Sequence, residues 1–239
     1  VPISNWQWAI KLKIKEHQAR LEYLFAFCQL FIAGLCIKFY QLMKIHFYLR
    51  FHTKFRQALY VTGNIEALGN GDPGKLFPLQ YMNNDFWQGT IEVDLKKGSK
   101  IQYSYLFRTE DGAVINEWGN DRVIDIFKQT IEEIQVVDTW NHAGEYENAF
   151  FSAPFQQTLL KLHKKEKSPV SRKPFSHIFK VKAPLLKKDE IVCLSGSGNA
   201  LGDWDTKSPL LMTLEGNWWE YKIDLPKESF PVSYKYGVY

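Results

Sequence analysis

Tyr60-Val-Thr-Gly63-Asn-Ile-Glu-Ala67-Leu68-Gly69-Asn70-Gly71-Asp72 returns as Cys193-Leu-Ser-Gly196-Ser-Gly-Asn-Ala200-Leu201-Gly202-Asp203-Trp204-Asp205, with five identities in thirteen positions at a constant spacing of 133 residues. Each copy is an apolar run ending in glycine, then a loop rich in Gly, Asn and Asp, which is the pattern of a strand entering a turn. The correspondence continues downstream. Trp87 has its equivalent at Trp218 or Trp219, and Tyr103-Ser104-Tyr105 is echoed by Tyr234-Lys235-Tyr236. A motif order used twice points to two similar modules in tandem.

Each copy reads as β structure. Gly89-Thr-Ile91-Glu-Val93-Asp-Leu95 and Trp219-Glu-Tyr221-Lys-Ile223-Asp-Leu225 alternate apolar and polar residues, and Lys97-Gly98 and Pro226 punctuate them. Short strands separated by turns at roughly ten-residue intervals predict antiparallel sandwiches of the immunoglobulin-like kind, an all-β chain. The first module is expected over 43–137 and the second over 175–239. A connector over 138–174 lies between them, its second half a solvated linker with six basic residues between Lys161 and Lys173.

The chain has 239 residues, of which 45% are hydrophobic and 23% charged, so it is not disordered as a whole. Aromatics stand out at 15%, including eight Trp, more than packing alone usually needs. The net charge of +4 is uneven, because residues 1–42 hold five basic and two acidic side chains. With about one net positive charge left over 43–239, phosphate neutralisation has no basis and nucleic acid is not an expected partner. The three cysteines form no C-x-x-C pair and no disulfide framework, and the six histidines lack the ligands of a metal site. No P-loop, G-x-S-x-G, G-x-G-x-x-G or H-E-x-x-H motif occurs, so no catalytic residue, metal or cofactor is expected. Glu132-Glu133 reads as a solvated pair, not as glycosidase acids, because such a dyad needs a cleft.

Residues 1–42 form a separate question. Leu24 to Ile37 is apolar except for Gln29, short for a membrane span and closer to the core of a signal peptide. Three readings stand: a non-native extension with a start upstream of the true module, a membrane or signal segment, and a helical cap. The first is preferred, with helix expected in the extension, a membrane partner not expected and a cytoplasmic location.

These motifs resemble the family 20 carbohydrate-binding modules, the starch-binding domains. Leu201-Gly202-Asp203-Trp204 and Tyr234-Lys235-Tyr236 match that pattern in the second copy. Trp87, Tyr103-Ser104-Tyr105, Glu117-Trp118 and Asn120-Asp121-Arg122 match it in order in the first. The tandem arrangement, with Val137-Asp138-Thr139-Trp140 and Phe150-Phe151-Ser152-Ala153-Pro154-Phe155 after the first module, is similar to the opening of amylomaltase-type 4-α-glucanotransferases. There a family 77 catalytic barrel follows. The resemblance therefore implies a fragment that binds starch-like α-1,4-glucan or maltooligosaccharide, ends partway through the second module, and has that barrel downstream as a partner.

The resemblance also implies site residues. In the first module these are Trp118 and Asn120, with Gly71 and Ser104 standing where the family has Trp and Lys. In the second they are Trp204 and Lys235, with the equivalent of Trp118 falling past Tyr239. A second site would use Trp87, Tyr81 and Phe55, with Trp219 as a further candidate. Aromatic platforms suit this task because a pyranose has an apolar C–H face, while its hydroxyl rim needs polar partners. The rival class is a sandwich that binds no sugar and docks a catalytic domain or another subunit.

Overall fold

The computed structural model describes residues 8–13 (backbone only), 42–94, 98–126, 131–155, 175–187, 189–225, 228 and 231–239. Sixteen strands lie among the described residues. The first, β1 (Trp8–Lys13), precedes both copies. The first copy contains β2 (Met43–Arg50), β3 (Ala58–Gly63), β4 (Phe77–Pro78), β5 (Gln80–Tyr81), β6 (Phe86–Val93), β7 (Lys100–Arg108), β8 (Val114–Asn116), β9 (Arg122–Asp125) and β10 (Glu133–Thr139). The second contains β11 (His177–Val181), β12 (Val192–Gly196), β13 (Leu210–Leu211), β14 (Thr213–Glu215), β15 (Trp218–Ile223) and β16 (Tyr234–Val238).

The first copy closes as two facing sheets, one with β10-β2-β6-β5 and the other with β4-β3-β7-β8, where β9 also pairs with β7. Strand alternation sets which side chains meet between them. Met43, Ile45, Phe47 and Leu49 point inward from β2, Leu59 and Val61 from β3, and Ile101, Tyr103 and Tyr105 from β7. The chain is all-β as expected. Among the described strand pairs, β2–β10 alone is parallel. In the second copy β11-β15-β14 faces β13-β12-β16 around Phe179, Val181, Val192, Leu194, Leu201 and Met212.

The repeat is reproduced in three dimensions. Gly69, Asn70 and Gly71 have φ of 80°, 52° and 76°, and Gly202, Asp203 and Trp204 have 80°, 45° and 65°. Equivalent hydrogen bonds close the two turns: Asn70 N–H to the Ile65 carbonyl matches Asp203 N–H to the Gly198 carbonyl. Gly63 and Gly196 end the preceding strands where a Cβ would lie 2.8 Å from the methyl of Leu68 or Leu201, so both positions admit no side chain. Register also settles which tryptophan is equivalent to Trp87. Trp87 pairs with Leu49 on β2, and Trp219 pairs with Val181 on β11, so Trp219 is the equivalent, Trp218 corresponds to Phe86, and Lys182 corresponds to Arg50.

One feature departs from the sequence reading. Residues 8–13, expected to be helical, form an extended strand between β10 and β11, antiparallel to both, so that one eight-stranded sheet runs through the two copies. Trp8-Ala-Ile-Lys-Leu-Lys13 has the two-residue period of a strand, and the edges of β10 and β11 supply its hydrogen bonds. The remaining positions expected to be helical, 1–7 and 14–41, and the apolar run within them lie outside the described residues. No helix among the described residues is long and apolar enough to cross a membrane. The first part of the connector also packs: β10 continues to Thr139, Trp140 joins the first core against Phe51 and Phe107, and a 3-10 turn covers Tyr146–Phe151.

Candidate functional site

In the second copy the glycine-terminated strand β12 delivers the chain into the left-handed turn, and Trp204 is its last member. The Trp204 N–H donates to the Gly196 carbonyl at 3.0 Å, and Asp203 Oδ1 accepts from the Gly198 N–H at 2.9 Å. Trp204 is 42% exposed. Gly196 lies opposite Tyr234 on β16, so the next residue, Lys235, reaches the surface at the same end of the sheet. Tyr234 and Tyr236 hold this strand from beneath: they meet edge to face at 5.7 Å, and the Tyr236 hydroxyl donates to the Lys180 carbonyl. Burial pushes the Tyr234 hydroxyl up to about 12. An exposed indole and an exposed ammonium thus share one end of the second sandwich.

The first copy has Gly71 where Trp204 would be, and no atom outside its own chain neighbours lies within 4 Å of where its Cβ would sit. Its Trp118 turn is held by a buried charged cluster. Arg122 donates to both carboxylate oxygens of Glu117 (2.7 and 2.6 Å) and to the Thr139 carbonyl, and its guanidinium lies 3.5 Å from Asp138. The hydroxyls of Tyr103 and Tyr105 donate to Asp138 at 2.9 and 2.7 Å. Burial raises the Asp138 carboxyl to about 6 despite Arg122. The Tyr103 and Tyr105 hydroxyls are raised well above the usual range, by burial first and then by Asp138. Trp118 exchanges two hydrogen bonds with Asn141, which is tied in turn to Asn148.

Trp118 is half-buried because the second copy sits on it. Lys182, 6% exposed, places its Nζ 2.8 Å from Asp121 Oδ2 and 5.8, 5.1 and 4.5 Å from the ring centroids of Trp118, Phe151 and Trp218. Burial lowers the Lys182 ammonium against the opposing effect of Asp121. Asn120 is exposed, and its carbonyl accepts from Gln102 Nε2.

The third location is at the far edge of the first copy. Trp87 is 8% exposed, and its Nε1 donates to Thr53 Oγ1 at 3.2 Å. Tyr81 covers it edge-on at 5.7 Å, is 55% exposed, and donates from its hydroxyl to Asn84 Oδ1. His52 donates to the Asn84 carbonyl, joining the 52–56 loop to this hairpin, and Phe55 stands on that loop 87% exposed. Trp87 is therefore a support, while Tyr81 and Phe55 are the exposed rings. Trp219, the equivalent of Trp87, is half-buried against the second core.

Sequence reasoning missed Lys182, Phe151, Asp121 and the outward-facing Trp218. The available signal was the Trp218-Trp219 pair on an alternating strand, which requires one ring on each face. Among the described residues no group of three or more His, Cys, Asp or Glu side chains could hold a metal ion.

The family model described as the starch binding domain matches residues 42–136 and 176–239, one match on each sandwich. The chain belongs to the starch binding domain family. A curated relative, 4-alpha-glucanotransferase DPE2 of Oryza sativa subsp. japonica, is 24% identical over 206 residues, covering 80% of this chain and 21% of the relative. The chain thus spans about a fifth of the length of that protein. Among solved structures, the family 15 glucoamylase from Hypocrea jecorina is 24% identical with a TM-score of 0.38, covering 42% of this chain and 17% of its own. The family 20 module of the maltotetraose-forming amylase from Pseudomonas saccharophila STB07 is 18% identical with a TM-score of 0.31, covering 39% of this chain and 97% of its own. Within the starch binding domain pattern, the two sandwiches of this chain present different surfaces: Trp204 with Lys235 on one, Tyr81 with Phe55 on the other.

Proposed function

We propose that this chain binds starch-like α-1,4-glucan chiefly through Trp204 and Lys235 of the second copy, and that it does so as part of a longer 4-α-glucanotransferase in the cytoplasm. The observation that carries the reading is Trp204 itself. A non-glycine residue at φ 65° costs about 1 kcal/mol, and Trp204 is left 42% exposed, so backbone preference does not account for the residue and packing does so only in part. A flat apolar ring held rigidly at the surface suits the C–H face of a glucose unit. The Lys235 ammonium supplies donors for its hydroxyl rim.

Covering about 100 Å² of that ring contributes on the order of 2 kcal/mol, roughly a thirtyfold change in affinity. The exposed Tyr81 and Phe55 give the first copy a second, weaker platform. Two weak platforms on one chain retain a long polymer through effective concentration. The match to the rice glucanotransferase over most of this chain supports the enzyme context.

Retardation in amylopectin affinity gels tests the proposal. Trp204→Ala is expected to weaken the retardation by about thirtyfold in apparent affinity. A variant that migrates like the wild type would remove Trp204 from the binding surface. A docking role without sugar is the second reading, and the burial of Trp218 against the first copy is the observation in its favour.

A further inference from the structure

We propose that Lys182 of the second copy is the resident occupant of the Trp118 platform of the first. It clamps the two sandwiches together and excludes sugar from that ring; the exclusion rests on the glucan-binding reading above.

Three observations converge on this. First, Lys182 does not need burial for its own sandwich to fold. Its equivalent by strand register, Arg50, is exposed at the end of β2. Lys182 is 6% exposed because the Trp118–Asp121 turn and Phe151 meet it. The same holds for the Trp218 ring, which is 9% exposed although it faces away from the core that Trp219 packs against.

Second, the receiving surface is held by contacts within the first copy alone. Glu117 and Arg122 fix the two ends of the turn, and Asn141 holds Trp118 by its backbone on both sides. The ammonium, already beside Trp218 of its own copy, therefore meets Trp118 and Phe151 with Asp121 as its counter-ion, which is where a buried cation gains most from ring faces.

Third, the clamp occupies a position the first copy has little other use for. Gly71 and Ser104 stand where an indole and an ammonium stand in the second copy, as Trp204 and Lys235. A glucose unit would have Trp118 and the exposed Asn120 without a second ring or an ammonium, on a ring already facing Lys182. The first copy thus uses its turn tryptophan to hold its neighbour. The Tyr81–Phe55 platform and the Trp204 platform are then carried on one unit with a fixed relation.

The test uses the full chain and maltoheptaose. Trp118→Ala should bind it within twofold of the wild type, against the thirtyfold loss expected for Trp204→Ala. The destabilisations caused by Trp118→Ala and by Lys182→Met, which keeps the aliphatic stem, should be non-additive in a double-mutant cycle. A fivefold or greater loss of affinity in Trp118→Ala overturns the proposal, and so does additivity in the cycle. Should either variant fail to fold, the wild-type indole resonances decide: saturation with maltoheptaose should move Trp204 Nε1–H and leave Trp118 Nε1–H in place, and movement of the latter overturns the proposal. If no variant and no wild-type chain binds maltoheptaose, the glucan reading has failed. The stability cycle then still decides whether Lys182 is a clamp.

Discussion

The two copies share a turn with the same backbone and different surfaces. Residues 69–71 and 202–204 follow the same left-handed path, yet the first ends in Gly71 and the second in the exposed ring of Trp204. The strand that precedes each sheet contrasts in the opposite sense. Arg50 is exposed at the surface, while Lys182 is buried in an aromatic cage. The interiors differ as well. Glu117, Arg122 and Asp138 put three charged groups inside the first sandwich, whereas in the second the Tyr236 hydroxyl donates to the Lys180 carbonyl. The lesson is a division of labour. The copy with the elaborate polar interior holds a turn rigidly for docking, and the copy with the simpler interior displays a bare ring.

The largest effect should come from breaking that interior. Glu117→Ala leaves Arg122 with Asp138 as its remaining close carboxylate and strips the Tyr105 N–H of its acceptor. Removing one partner of a buried ion pair costs about 3–5 kcal/mol. In urea denaturation the transition of the first copy should lose that much. A loss below about 1 kcal/mol would mean that the cluster does not hold the first sandwich.

Acid titration separates the copies by a different route. The Asp138 carboxyl is raised to about 6 in the folded chain, above its ordinary value, so the native state binds this proton more tightly than the unfolded state. Its contribution to stability is therefore fully present below about pH 4 and is lost as pH rises through about 6. Across the whole transition, from well below pH 4 to well above pH 6, that contribution falls by about 3 kcal/mol. Asp138→Asn should flatten this slope in the first copy, measured as the urea midpoint at pH 4.5 against pH 7. An unchanged slope would show that Asp138 titrates elsewhere.

What could be read in advance follows the range of each interaction. The paired turns were legible because Gly69 and Gly202 answer to local backbone geometry, and the alternating strands because one residue specifies the face of the next. The same alternation puts Tyr103 and Tyr105 on the inward face of β7. The face taken by Trp218 was not, since both faces of β15 are covered, one by its own core and one by the other copy. Nor was Lys182: its carboxylate partner, Asp121, lies 61 residues away, and Arg50 at the equivalent position is exposed. Trp87 matched the motif yet turned inward, because its Nε1–H reaches Thr53 and Tyr81 caps it. A motif marks the position of a ring, but only packing decides whether the ring is offered to solvent.

The smallest expected effect is the sharpest check on the turn. Exchanging the two residues, as Trp204→Gly and Gly71→Trp, should change the stability of either copy by no more than about 0.5 kcal/mol. Relief of the left-handed strain at position 204 is worth about 1 kcal/mol, and the greater chain entropy of an unfolded glycine offsets it by about 0.5–1 kcal/mol. The same terms act with reversed sign at position 71, where no atom beyond the chain neighbours lies within 4 Å of the added Cβ. Thermal unfolding of the two single variants measures this. A loss of 2 kcal/mol or more in Trp204→Gly would mean that the indole serves the fold, and its exposure would then need a structural reason. Near-neutral exchange would leave ligand binding as what the ring contributes. It would also make position 71 a place where a platform can be installed, with Ser104→Lys beside it to complete the pair that the second copy already has.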